Sequence, residues 1–110
     1  MPFAIQSEVR GAIPLFRVNG ELDVFTAPQL LDLVDASLKN GADSIAFDFS
    51  ELTFMDSSGL RVLVSAKRQA TERGGQVYVI GISGAVRRLF NVIQVGDQFC
   101  LCDETELPAA

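Results

Sequence analysis

Two hydroxyls stand side by side behind a carboxylate in Phe54-Met55-Asp56-Ser57-Ser58-Gly59-Leu60, the stretch with the clearest capacity for chemistry. It lies between an alternating apolar run over residues 45–49 and a helically spaced segment over 60–73, so it is expected to be a loop that opens a helix. Asp56 is a favoured N-cap type, whose carboxylate accepts a hydrogen bond from a free amide of the first turn. Met55 and Leu60 have the spacing of a hydrophobic staple, and Ser57 falls at the first helical position. A phosphoryl group on Ser57 would meet unpaired amides and the positive end of the helix dipole, and so would not melt the helix. On local physics alone, capping is a sufficient reason for these residues.

What the chain lacks narrows the chemistry further. It has no histidine, which removes Ser-His-Asp and Cys-His nucleophiles and every histidine-containing metal site. Without a base to activate it, Ser57 reads as an acceptor of a group rather than as a nucleophile toward substrate. Cys100 and Cys102 are expected on opposite faces of a strand, a poor disulfide and at most half of a zinc site. Reduced packing thiols are the reading. No cofactor and no metal are expected, and the absence of a Gly-rich Lys-Ser/Thr loop argues against nucleotide chemistry.

Over 110 residues, 48% hydrophobic and 21% charged, the composition is that of one small globular domain, with a core over 3–102 and a short acidic tail over 103–110. No apolar run approaches the roughly 18 residues of a membrane span, and no secretory pattern opens the chain, so a cytoplasmic protein without membrane insertion is expected. A net charge of -5 argues against direct nucleic-acid binding. The charge is also two-sided. Residues 1–56 carry nine acids against Arg10, Arg17 and Lys39, whereas 57–96 carry six bases against Glu72 alone. Such asymmetry suits a specific protein partner, though a solvated mixed surface accounts for it equally well.

The elements that must position these residues follow from periodicity. Phe3, Ile5 and Val9, then Ile13, Leu15, Phe16 and Val18, indicate two strands joined near Gly11 and Ala12 as an antiparallel hairpin. Glu21-Leu22-Asp23 is expected to be a polar crossing into a helix opened by Thr26-Ala27-Pro28-Gln29, which has capping-box spacing. Ala27, Leu30, Leu31, Val34 and Leu38 give its buried stripe, and Asn40-Gly41 stops it. A third strand over 45–49 precedes a second helix that buries Leu60, Leu63, Ala66 and Ala70 and ends at Gly74-Gly75. A fourth strand over 76–80 leads to a third helix capped by Ser83, with Val86, Leu89, Phe90 and Ile93 inward and Arg87 and Arg88 solvated. A last short strand spans 99–102, and the tail holds one helical turn at most. The fold class is therefore α/β: a mixed, mostly parallel sheet of four to five strands with an antiparallel N-terminal hairpin and about three helices. Sites in such sheets form where loops leave the carboxyl ends of strands. If the second and third strands are neighbours, Glu21, Asp23 and Asp56 surround Ser57.

Gly20-Glu21-Leu22-Asp23, Thr26-Ala27, Phe54-Met55-Asp56-Ser57-Ser58-Gly59-Leu60 and Ala85-Val86-Arg87-Arg88-Leu89-Phe90 together resemble, in order and spacing, the STAS domain of bacterial anti-sigma factor antagonists. The resemblance runs from about residue 3 to residue 102. It implies that Ser57 is phosphorylated by an anti-sigma factor that is also a serine kinase. The unphosphorylated form would bind that partner and free a sigma factor, phosphorylation would end binding, and a serine phosphatase would reset the protein. It further implies that Asp23 places the kinase or the acceptor hydroxyl and that Asp56 orients Ser57; a turn and a simple cap are their plainer roles. Ser58 is either a second acceptor or a hydroxyl bonding back to the loop, and the latter is the favoured reading. Gly59 is read as a close approach to a partner or a strand end, made at a cost of about 1 kcal/mol in helix propensity. The resemblance implies a switch, not an enzyme. Two departures stand out: the chain has Gly84 where proline is frequent, and it stops at a short tail where a longer C-terminal helix is usual, which leaves a weak homodimer open. The alternative is a structural STAS subunit of a membrane lipid-transport ATPase complex; the serine pair after Asp56 favours the antagonist.

Overall fold

Alternation of apolar and polar residues on either side of Gly11 and Ala12 folds the N-terminal region into β1 (Ala4–Arg10) and β2 (Ile13–Leu22), an antiparallel hairpin with Ile5 opposite Val18. In the computed structural model, residues 2–82, 84–93 and 99–108 are described, the side chains of residues 85 and 91–93 excepted. The hairpin is followed by α1 (Ala27–Lys39), β3 (Ile45–Asp48), β4 (Leu52–Met55), α2 (Ser57–Glu72), β5 (Val77–Ile80), α3 (Gly84–Ile93) and β6 (Cys100–Cys102). The sheet runs β1-β2-β3-β5-β6, with β4 beside β2, and every pairing after the hairpin is parallel. The α/β class, the N-terminal hairpin and the three helices match the expectation from sequence. The expected Ser83 cap lies outside the described residues, as does the side chain of Ile93.

One strand is additional. The stretch read as loop begins with β4, so the sheet has six strands among the described residues. Its burial runs buried, exposed, exposed, buried, which hides the strand from a period-two pattern. The cause is a register shift where Gly20 faces Leu52 but Glu21 faces Phe54, leaving Thr53 to donate from Oγ1 to the Gly20 carbonyl at 3.0 Å. Long strand β2 thus serves two parallel neighbours on the edge away from β1, β3 along Leu15–Arg17 and β4 along Gly20–Leu22. Gly20 permits the change. Its φ is 96°, and a Cβ there would sit 3.1 Å from the Phe3 Cα. The expected polar crossing at Glu21-Leu22 is therefore strand, with Leu22 wholly buried.

All three helices bury their apolar stripes against one face of the sheet, in a core with Phe16, Phe47, Phe49 and Val79. The Phe47 and Phe49 rings stack at 5.7 Å. Burying each such ring contributes about 1.5–3 kcal/mol. In α2 the buried residues include Gly59 and Val62, with Leu60 half-buried, so the stripe is turned slightly from the expected one.

The opposite face is built differently. Ile13, Leu15, Ala46 and Ile80 form a small apolar strip, joined by Tyr78, Cys102 and Leu107. Cys100 and Cys102 both lie on this face, opposite Tyr78 and Ile80 in register, and not on opposite faces as expected. A separation of two residues matches the strand period and returns to the same side. Residues after β6 form a one-turn 3₁₀ helix, Glu104–Glu106, within the expected limit of one turn. Beside the strip sits Asp48, the one buried charged side chain among the described residues. Its Oδ1 accepts from the Ser50 amide at 2.9 Å and the Ser50 hydroxyl at 2.7 Å, and its Oδ2 from Arg17 Nη1 at 2.6 Å. Burial is the largest influence on this carboxyl and opposes ionisation. The Ser50 bonds and then Arg17 outweigh it, and the group is held below the ordinary aspartate range.

A depressed folded-state pKa means that the stabilisation is complete above the ordinary value of 3.8 and fades as pH falls through the lower folded value. Asp48→Asn should lower stability at neutral pH by about 1–3 kcal/mol. The gap to wild type should narrow in urea titrations carried out progressively below about pH 4. A gap independent of pH would show that Asp48 is not an ionised contributor.

Candidate functional site

The carboxyl ends of β2 and β4 meet where Leu22 faces Met55, and the Asp56 amide donates to the Leu22 carbonyl at 3.3 Å. Asp23 and Asp56 therefore leave adjacent strand ends. The expected neighbourhood of the two acidic loops is present, with β4 rather than β3 making it. Glu21 stands one step back, opposite Phe54 in register and exposed.

Asp56 has an extended backbone and caps α2, its Oδ1 accepting from the Ser58 amide at 2.8 Å. Ser57 is the first helical residue and is exposed, and its neighbour Ser58 is half-buried. The capping bond comes from a first-turn amide, as expected, and it is the Ser58 backbone that supplies it. The Ser58 side chain, expected to bond back to the loop, lines a cavity of about 240 Å³ with Val24, Leu31, Arg61 and Val62. Gly59 is buried where the first turn lies on the strand ends. A Cβ there would stand 2.6 Å from Met55 Cγ and 2.8 Å from Leu22 Cδ2. The strand-end half of the expectation for Gly59 is thus what its surroundings show.

Asp23 organises the second loop. Its Oδ1 accepts from the Phe25 amide at 2.9 Å and the Thr26 amide at 3.1 Å, and its carbonyl accepts from the Ala27 amide at 2.8 Å. The expected capping box at Thr26 does not form. Thr26 makes no side-chain cap to α1; its hydroxyl accepts from the Asp23 amide at 2.9 Å and lies 2.8 Å from the Glu21 carbonyl, to which it donates. The Asp23 carboxylate closes the loop before the helix, and the first helical amide, that of Ala27, is taken up by the Asp23 carbonyl. A consequence is that Phe25 is held outward, 83% exposed, with Val24 also exposed.

Thr26, Phe25 and Arg61 escape a reading from sequence. Thr26 has a stronger rival explanation as a cap, Phe25 looks like one more core aromatic, and Arg61 looks like an ordinary outward helix residue. Arg87 and Arg88 are exposed on α3, and Arg87 Nη2 donates to the Ile82 carbonyl at 3.3 Å. A larger cavity, about 340 Å³, lies among β5, β6 and the start of α3, lined by Arg87, Cys102, Asp103 and Glu106. Among the described residues no group of three or more carboxylates or thiols is placed to hold a metal ion, and no helix is long and apolar enough to cross a membrane.

Comparison with known proteins places the chain among relatives of defined kind. A family model for the STAS domain matches residues 4–107. The chain is 29% identical over 91 residues to the anti-sigma-B factor antagonist of Staphylococcus aureus strain NCTC 8325 / PS 47, a match spanning 83% of this chain and 84% of that protein. The structure of the anti-sigma factor antagonist SpoIIAA in its unphosphorylated form aligns with a TM-score of 0.74 at 27% identity, over 96% of this chain and 91% of that one. The Bacillus cell fate determinant SpoIIAA in its phosphorylated form aligns with a TM-score of 0.73 at 25% identity, over 96% and 95%.

Gly59→Ala isolates the packing at this site. Alanine restores about 1 kcal/mol of helix propensity. The added methyl nevertheless forces Leu22 and Met55 aside, and overpacking of this kind costs about 1–3 kcal/mol. A net loss of stability is expected in urea titration; a gain would show that the first turn shifts freely.

Proposed function

The chain belongs to the STAS domain family, and on that premise we propose that it is an anti-sigma factor antagonist controlled by phosphorylation of Ser57. Unphosphorylated, it binds a cognate anti-sigma factor that is also a serine kinase, and the sigma factor is released. Phosphorylation of Ser57 ends the binding, and a serine phosphatase restores it. The protein is a regulatory binding module and not an enzyme.

The observation that carries this reading is the exposed hydroxyl of Ser57 at the first position of a helix whose cap is already supplied by Asp56. A phosphoryl group there adds about -1.5 to -2 charges. The free amides of the first turn and the helix dipole offset that charge locally, so the domain keeps its fold. Toward a partner the effect is opposite: a docked surface must desolvate the phosphate beside the carboxylates of Asp23 and Asp56. A large conformational change is not needed. The similar likeness of this chain to both forms of SpoIIAA supports a switch that acts on the surface rather than on the fold.

Asp23 and Asp56 act here as positioning residues, Asp23 through the loop that it closes and Asp56 through the first turn. Glu21 and Ser58 border the same surface, and Gly59 sets the depth at which the helix starts. Thr26 and Phe25 join them as parts of the Asp23 loop.

Incubation with the cognate kinase and ATP, followed by intact mass and peptide mapping, should show one phosphate on Ser57. Ser57→Ala should abolish it, and Ser57→Asp should weaken partner binding by at least about tenfold. Asp23→Asn retains an Oδ1 acceptor for the loop while removing the charge, so it should fold normally and report the charge alone. Undiminished phosphate on the Ser57→Ala protein would overturn the assignment.

A further inference from the structure

The second face of the sheet carries a device that lies apart from Ser57. After β6 the chain turns back over the strip formed by Ile13, Leu15, Ala46 and Ile80, and Leu107 packs on it next to Cys102. The backbone hydrogen bonds of this segment close within it: the Glu106 amide donates to the Asp103 carbonyl at 2.9 Å and the Leu107 amide to the Glu104 carbonyl at 3.2 Å. The Asp103 amide is likewise taken up internally, by Glu106 Oε1 at 2.8 Å. Its attachment to the sheet is made by side chains. Glu104 receives a two-pronged bond from Arg17, Nη1 to Oε1 and Nη2 to Oε2, each 2.9 Å, and a further bond from Arg10. These groups are partly exposed, with 24% of the Arg17 side chain and 33% of the Glu104 side chain open to solvent. Ion pairs so exposed are weak and are screened by salt.

We propose that residues 103–108 form a detachable strap, clasped by Arg10 and Arg17 through Glu104, whose opening uncovers the second sheet face and the Cys102 thiol while the rest of the domain stays folded. The self-contained turn lets the segment move as a unit, and Arg17 keeps two carboxylate partners when the strap leaves, because Glu8 and Asp48 remain bonded to it. Closed, the strap borders the half-buried thiol through Asp103 and Glu106, which line the same cavity; burial first, and then the nearby Glu106, push the Cys102 thiol up.

The test is alkylation of Cys102 by iodoacetamide in a Cys100→Ala background, at one fixed pH, read by mass. Glu104→Gln should label about fivefold faster, and added salt should speed the parent protein and narrow the difference. Leu107→Ala should also label faster, and it reads the same opening through the apolar contact should the Glu104 variant fail to fold. Glu8→Gln removes a carboxylate from Arg17 without touching the strap and should label no faster than the parent. Parent-like rates in both strap variants would overturn the proposal. So would labelling that proceeds only as fast as amide exchange in β5, since the thiol would then be exposed by global unfolding.

Discussion

The contact of Gly59 with Leu22 and Met55 is the constraint on which the functional edge of this protein depends. A helix can start this deep between two strand ends only if its first turn lacks a side chain at that point. The depth then decides the rest. Asp56 is brought within bonding distance of the Leu22 carbonyl, Ser57 is left at the rim and exposed, and the Asp23 loop falls beside it. The loss of helix propensity at Gly59 is offset by burial of Leu22 and Met55, which belong to the main core. An exposed hydroxyl at the first position of a capped helix is thus a by-product of tight helix-on-strand packing.

Behind that edge the two faces of the sheet have divided their tasks. The helical face is aromatic and aliphatic and supplies most of the burial. The other face is held by charge, with Asp48, Arg17, Arg10, Glu8 and Glu104 linked in a chain. Such a network contributes little where it is exposed and more where Asp48 is enclosed. It ties the C-terminal segment to the sheet through side chains, and Leu107 of that segment packs on the apolar strip.

Much of this was legible beforehand for reasons that are local. Alternation near the N-terminus, the stripe of α1 and the stops at Asn40-Gly41 and Gly74-Gly75 each report on a few neighbouring residues, and each appears where expected. The cap at Asp56 is local too. β4 was not legible, because a register shift broke its alternation, nor was the role of Thr26, whose hydroxyl is taken up by the Asp23 amide and the Glu21 carbonyl instead of capping α1. The shared face of the cysteines follows from the strand period alone, since a step of two residues returns a side chain to the same side.

The order of residues by itself determined the fold class, the helix start at Ser57 and the absence of any histidine to activate it, since composition and near-neighbour spacing are properties of the chain alone. Tertiary structure decided what lies across from what. Only the sheet brought Asp23 beside Asp56, buried Asp48 against Arg17 across 31 positions of sequence, and joined Glu104 to Arg17 across 87. The physical reason is that these contacts depend on register and on a bend at Gly20, and both are set by the packing of the whole sheet rather than by any stretch that can be read in isolation.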